Sequence, residues 1–360
     1  MSFCLTPLLL AVALAADAPS DHFDGTRFHN TPPTRQKTLL DAVKWNLTRQ
    51  PNPDWQQLPA VAIPKLQAKV EGLVADVTFI NHATTLVQLA GRNILTDPVY
   101  SERVSPVSFM GPKRYHPPAI PFESLPNIDL VVISHNHYDH LDLATLKRLD
   151  ERFKPRILVG KGSGEWLRSH GLSEVVELDW WEKFDAGNGL EIIGVPAQHW
   201  SIRSGFDRNR MLWLGYAMSY QSKYIYFAGD TGYGPHFKAI HERLGAPSFS
   251  LLPIGAYLPR YMMIDNHMSP DDAVKAHIDL KSPASMGIHY GTFALADEGQ
   301  RQPITDLALA RSQRSISEAQ FWAGELGIVK RITLNPVNNQ PDPDQAVKTT
   351  PQPENQTPAL

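Results

Sequence analysis

The chain of 360 residues has one cysteine, Cys4. A disulfide framework is therefore excluded, and beyond that position no thiolate is on offer as a nucleophile or metal ligand. Excess positive charge is missing too. There are 34 Lys and Arg against 37 Asp and Glu, for a formal net charge of −3, and no dense basic run. Proteins that grip nucleic-acid backbones carry a positive footprint, so this balance speaks against such a partner. It leaves open a phosphodiester within a lipid headgroup. Long apolar runs are scarce, the clearest being Leu5 to Ala16, which is too short to span a bilayer comfortably. It ends in small residues, Ala13-Leu-Ala-Ala16, before Asp17-Ala-Pro, and so reads as a signal peptide over residues 1–16. The stretch ahead of it lacks Lys and Arg, which keeps an uncleaved anchor as the alternative. Cys4 precedes the run instead of closing it, unlike a lipoprotein signal. The expectation is export to the periplasm, or membrane association within a bacterial envelope.

Against these absences stands one dense stretch, Ser134-His135-Asn136-His137-Tyr138-Asp139-His140-Leu141-Asp142. It follows Asp129-Leu-Val-Val-Ile133, a β-branched apolar run that predicts a buried strand. Alternation along extended chain turns His135 and His137 to one side, where they can hold one ion. A helix starting near Asp139 would swing Asp139 and His140 towards a second position. Imidazole and carboxylate suit Zn²⁺ and its neighbours. Three further candidates lie where apolar strands end: His199 after Leu190 to Gln198, Asp230 after Lys223 to Gly229, and His289 after Ala284 to Ile288. Any one of them alone is an ordinary core or loop residue. Together they repeat a single arrangement of strand, strand end and donor, the usual setting of sites in layered α/β folds.

The order His135-x-His137-x-Asp139-His140, then His199, Asp230 and His289, resembles the ligand order of the metallo-β-lactamase superfamily. Seven local words narrow the resemblance: Asn81-His-Ala-Thr84, Leu95-Thr-Asp-Pro98, Ser134 to Asp142, Pro196-Ala-Gln-His-Trp200, Gly229-Asp-Thr-Gly-Tyr233, Pro253-Ile-Gly-Ala-Tyr257 and Ile288-His-Tyr-Gly-Thr-Phe-Ala294. They are similar to the branch that hydrolyses N-acylphosphatidylethanolamine as a phospholipase D. The resemblance spans roughly residues 70 to 300. It implies an αββα sandwich and two zinc ions, with other divalent metals as alternatives. By resemblance His135, His137 and His199 hold one ion, Asp139, His140 and His289 the other, and Asp230 bridges them. A hydroxide between the ions would attack a phosphodiester, Asp139 would assist as proton carrier, and His267 would face the substrate. His82 and Asp97 lie in the family's words with their roles open, orientation of ligating histidines being one, and Tyr138, between two of the ligands, is expected to shape the pocket. Two other functions compete: a lactonase or other small-molecule hydrolase of the same fold, and a non-catalytic metal-binding envelope protein.

Along the chain, residues 17–70 carry many prolines and scattered aromatics and read as an arm wrapped on the main domain, with one helix over Gln36 to Thr48. Residues 71–335 form the hydrolase domain; 42% of the chain is hydrophobic, enough for one large core or two small ones. Strands are expected at 75–80, 85–89, 93–96, 156–159, 174–178, 190–195, 212–220 and 223–228, and helices at 143–153 and about 235–244. A further helix should start at Ser269-Pro270-Asp271-Asp272, where Ser caps, Pro takes the first turn and the acids meet the dipole. Residues 336–360, rich in Pro, Asn and Gln, read as a disordered tail. The run Ala256 to Ile264 is either a membrane-facing loop or core, and Met211 to Leu214 carries the same ambiguity. A phospholipid substrate implies reversible contact with a membrane surface. The sequence leaves the oligomeric state open.

Overall fold

Short β-branched strands dominate the chain, and in the computed structural model they assemble into two seven-stranded sheets. The structure describes residues 21–35 and 37–334; the segments read as signal peptide and tail lie outside the described residues. The N-terminal stretch holds α1 (Leu39–Thr48). It begins later than Gln36 because Thr38 caps it, accepting from Asp41 N while the Asp41 carboxylate accepts from Thr38 N.

The first sheet opens with an antiparallel meander of β1 (Val74–Asn81), β2 (Thr84–Leu89) and β3 (Arg92–Thr96). It continues in parallel through β4 (Leu130–Val132), α2 (Leu143–Phe153), β5 (Arg156–Gly160), α3 (Gly164–Ser169) and β6 (Val175–Leu178). The second sheet repeats the plan. Its antiparallel part is β7 (Lys183–Asp185), β8 (Leu190–Val195), β9 (Gly215–Tyr220) and β10 (Lys223–Phe227). Its parallel part runs through α4 (His236–Leu244), β11 (Phe249–Pro253), α5 (Arg260–Met263), α6 (Pro270–Asp279), β12 (Ser285–Ile288), α7 (Gln302–Gln313) and β13 (Phe321–Ala323). Finally β14 (Val329–Thr333) crosses back and pairs antiparallel with β1.

Both sheets bury both faces. Val77, Leu89, Ile94 and Leu130 meet Ile192, Tyr216, Phe227 and Met286 between the sheets. Leu146, Leu149 and Leu167 cover the outer face of the first sheet at Leu86, Leu95 and Ile157. Phe237, Ile240, Val274 and Leu307 do the same for the second at Val195, Tyr226 and Leu252. Helices outside and sheets inside make the αββα sandwich. Each fully buried leucine or phenylalanine contributes about 1.5–3 kcal/mol, so the core resides in these three seams. Leu212, Trp213 and Leu214 belong to the seam between the sheets, and Met211 and Met262 are buried outside the three seams. A membrane-facing role for Met262 is thereby overturned, although Tyr261 and Ile264 beside it are exposed.

Several contacts fasten residues 21–58 to the sandwich. Trp45 Nε1 and Arg49 Nε donate to Asp297, Trp55 Nε1 to Glu298 O, and His22 Nε2 lies 2.7 Å from Asp179 Oδ1. No helix among the described residues is long and apolar enough to cross a membrane.

Candidate metal centre

The donors converge where strands of both sheets stop. After β4 the chain enters a turn in which His140 N and Leu141 N both donate to His137 O. No helix starts near Asp139: α2 begins at Leu143, as the apolar spacing of 143–153 implies, because the Asp142 carboxylate caps it through Thr145 N. The turn, instead of a helix, separates His135 and His137 from Asp139 and His140. From the second sheet, His199 follows β8, Asp230 follows β10 and His289 follows β12.

All seven expected residues come together in two clusters with a shared member. In the first, His135 Nε2 is 2.8 Å and His199 Nε2 3.4 Å from His137 Nδ1. In the second, His289 Nε2 is 3.1 Å from His140 Nε2, and Asp139 Oδ2 lies 3.5 Å from His289 Nε2 and 3.3 Å from His140 Nε2. Asp230 stands between them. Its Oδ2 is 3.1 Å from His140 Nε2 and 3.9 Å from both His135 Nε2 and His199 Nε2, while its Oδ1 is 3.1 Å from His289 Nε2.

The surroundings fix which nitrogen of His199 and of His140 faces inward. His199 Nδ1 bonds Asn266 O, leaving Nε2 for the centre. Asp97 Oδ2 lies 2.6 Å from His140 Nδ1 and also accepts from Ser134 Oγ, while Asp97 Oδ1 accepts from Ser134 N. His82 Nε2 is 3.0 Å from Asp139 Oδ2. His267 sits on the open side, its Nδ1 3.7 Å from Asp230 Oδ2, so Asp139 and His267 are both at the centre. His82, Asp97 and His289 hold positive φ of 46°, 34° and 61°, a conformation that costs side-chain-bearing residues energy and is characteristic of sites. Gly229, at φ 61°, permits the close approach of β10's exit to the loop: a Cβ there would stand 2.4 Å from Ser134 Cβ.

Electrostatically the two clusters differ. Burial pushes His135 and His199 well below the ordinary imidazole value and His137 to about 4, so these three present neutral lone pairs. Burial would protonate Asp139 and Asp230, but the neighbouring imidazoles, His140 foremost, hold both carboxyls well below the usual range. The same attraction overcomes burial and lifts His140 well above its ordinary value and His289 to about 9. Converging lone pairs 2.8–3.4 Å apart in the first cluster, and an Asp230 carboxylate flanked by imidazole nitrogens of both clusters, leave cation-shaped gaps. The set fits two divalent ions, with imidazole and carboxylate donors of the kind zinc takes.

Two supports escaped the sequence reading. Asn30 of the N-terminal stretch brackets the His199 backbone, its Oδ1 accepting from His199 N and its Nδ2 donating to His199 O. Arg203 Nη1 donates to Asn136 O and Leu141 O, closing the 135–140 turn, and Tyr138 OH donates back to Arg203 O. Neither lies in a motif.

Comparison with known proteins accords with this geometry. The Beta-lactamase superfamily domain matches residues 92–290. N-acyl-phosphatidylethanolamine-hydrolyzing phospholipase D 1 of Caenorhabditis elegans is 41% identical over 263 residues, covering 69% of this chain and 74% of that protein. A mitochondrial N-acyl-phosphatidylethanolamine-hydrolyzing phospholipase D of Saccharomyces cerevisiae is 34% identical over 285 residues, 77% of this chain and 60% of that one. In fold the chain is similar to Igni18, a metallo hydrolase of Ignicoccus hospitalis, at a TM-score of 0.55 and 23% identity over 72% of this chain and 98% of that structure.

Proposed function

We start from a chain that belongs to the metallo-β-lactamase superfamily as a metal-dependent hydrolase, and we propose that it is a dinuclear enzyme cleaving the phosphodiester of N-acylphosphatidylethanolamine or a related phospholipid. The observation that carries the dinuclear reading is Asp230, whose two oxygens reach both donor clusters. His135, His137 and His199 would hold one ion and Asp139, His140 and His289 the other, with Asp230 shared. Two such ions, zinc by preference of the donors, would lower the pKa of a bound water to about 7 and draw charge off a phosphoryl oxygen. The phospholipid reading is favoured by the two phospholipases at 41% and 34% identity.

The chain's own residues do the rest. Asp97 and Asn266 lock His140 and His199 in the tautomers that aim Nε2 inward. His82 steadies Asp139, the carboxylate nearest the open side. His267 approaches from α6's entry, placed to meet a substrate oxygen, and burial keeps it neutral at ordinary pH by lowering it to about 4. No serine or other protein nucleophile is required.

The deciding experiment is incubation of purified protein with N-acylphosphatidylethanolamine, followed by lipid mass spectrometry. Phosphatidic acid and N-acylethanolamine should appear together, and a chelator should abolish both. Turnover of a simple lactone without any phosphodiester cleavage would instead identify a lactonase. Elemental analysis should return about two divalent ions per chain.

A further inference from the structure

Helix α1 turns its apolar side chains the wrong way for a soluble protein. Its inner face, Trp45 and Arg49, bonds Asp297. Its outer face carries Leu40, Val43 and Leu47, exposed by 79%, 46% and 81%. These positions, three and four apart, line one side of a helix. The stripe continues sideways onto Tyr261 and Ile264, which are 43% and 51% exposed. Lys37 makes that join, bonding Asp265 at 2.5 Å, and Lys44 lies 5.5 Å from the Tyr261 ring centre. Asp265 immediately precedes Asn266 and His267, so the stripe borders the open side of the metal centre. Phe206, 90% exposed, lies on the loop whose Arg203 closes the 135–140 turn.

We propose that α1, together with Tyr261 and Ile264, is a lipid-docking surface that seats the opening of the metal centre on a phospholipid bilayer. The choice of partner rests on the phospholipid reading above and on charge. Lys44 is exposed beside the stripe, and Arg35, exposed at the start of the helix, pairs at 2.6 Å with Asp41, the acid that also caps it. Apolar side chains flanked by exposed cations match a layer of acyl chains beneath phosphate headgroups. Contiguous exposed apolar surface of this kind marks an interaction site, and its place at the rim gives it a use.

The experiment is sedimentation of the full chain with vesicles of phosphatidylethanolamine and phosphatidylglycerol, so that any contribution from residues 5–16 is common to every variant. Wild type should pellet, and Leu40→Ser with Leu47→Ser should lower the partition constant about tenfold or more, with an unchanged thermal melt. Lys44→Glu should weaken binding and remove part of its salt sensitivity. Wild-type protein that fails to pellet, or a serine variant that pellets like wild type, overturns the proposal. So does a serine variant that merely breaks up self-association in light scattering, which would make the stripe a contact between copies. Hydrolysis of a soluble short-chain phosphodiester separates the two readings. Stripe-dependent pelleting without hydrolysis defeats the phospholipase reading alone, and hydrolysis without stripe-dependent pelleting defeats only the docking surface.

Discussion

Asp230 concentrates the chemistry in one carboxylate. It is buried among imidazoles at 3.1–3.9 Å from both clusters, so its negative charge is what would allow two dications to share a small space. Asp230→Asn keeps the shape and removes the charge. Both ions should be lost together, seen as metal content falling from about two to well below one per chain, while the circular dichroism spectrum persists. Loss of a single ion would show that Asp230 serves one cluster only. Asp97 acts one bond further out, through His140 Nδ1 and Ser134. Asp97→Asn should weaken metal binding about 10- to 100-fold, measured by competition with a chromophoric chelator. Unchanged affinity would reduce Asp97 to packing. These residues were legible in the sequence because each stands at a strand end, in a short word whose spacing fixes its direction. Asn30 and Arg203 were not, since both act through backbone atoms of partners far along the chain, 169 residues away for Asn30 and His199. Such a contact leaves no local pattern to read.

Elements were readable to the extent that packing is printed in apolar alternation. Strands β1 to β3, with both faces buried, stood out, whereas β11, buried along its whole length, was not read. The short β7 and β14 did not stand out, because as outer strands of their sheets they expose most side chains and lack a period. Helix α2 was legible in both bounds, since the apolar spacing of Leu143 to Phe153 coincides with the helix observed and Asp142 caps its start. The N-terminal stretch shows how an element outside the sandwich can reach the centre. His22 bonds Asp179 and Asp21, stacks on Trp180 at 4.1 Å, and lies upstream of Asn30, which holds His199. Burial alone would lower His22, but the two aspartates raise it above 6.5, and burial's upward push on Asp179 is likewise outweighed by His22, leaving that carboxyl below 3.8. A raised histidine stabilises its contact fully below 6.5 and loses that contribution as pH climbs through the native value, whereas a lowered aspartate loses it in acid, below 3.8. Residues 21–35 should therefore be held most firmly between 3.8 and 6.5 and loosen as pH rises above that window. Hydrogen exchange of this segment, corrected for intrinsic rate, should quicken with pH in wild type but not in His22→Gln. Equal pH dependence in the two proteins would remove His22 as the cause.

At the scale of the molecule, the donors divide by sheet. His135, His137, Asp139 and His140 come from the first sheet's strand ends, and His199, Asp230 and His289 from the second's. Each ion would join residues of both sheets: His199 completes the first cluster and His289 the second. Bound metal is then a clamp across the open end of the sandwich, beyond the apolar seam where Leu130 and Val132 face Tyr216 and Phe227. A clamp that exists only in the folded state stabilises it by mass action, by about 2.7 kcal/mol when free metal stands a hundredfold above its dissociation constant. For a chain of this size that difference moves the melting midpoint by about 4 °C. Calorimetry of protein as purified, and again after chelation verified by elemental analysis, should show the downward shift, and re-addition of zinc should restore it. His199→Ala removes the second sheet's contribution to the first cluster, so its remaining chelator shift should be smaller than that of wild type. If stripping the metal leaves the midpoint where it was, the two sheets hold their register without the ions, and the clamp has to be given up even if the centre still hydrolyses its substrate.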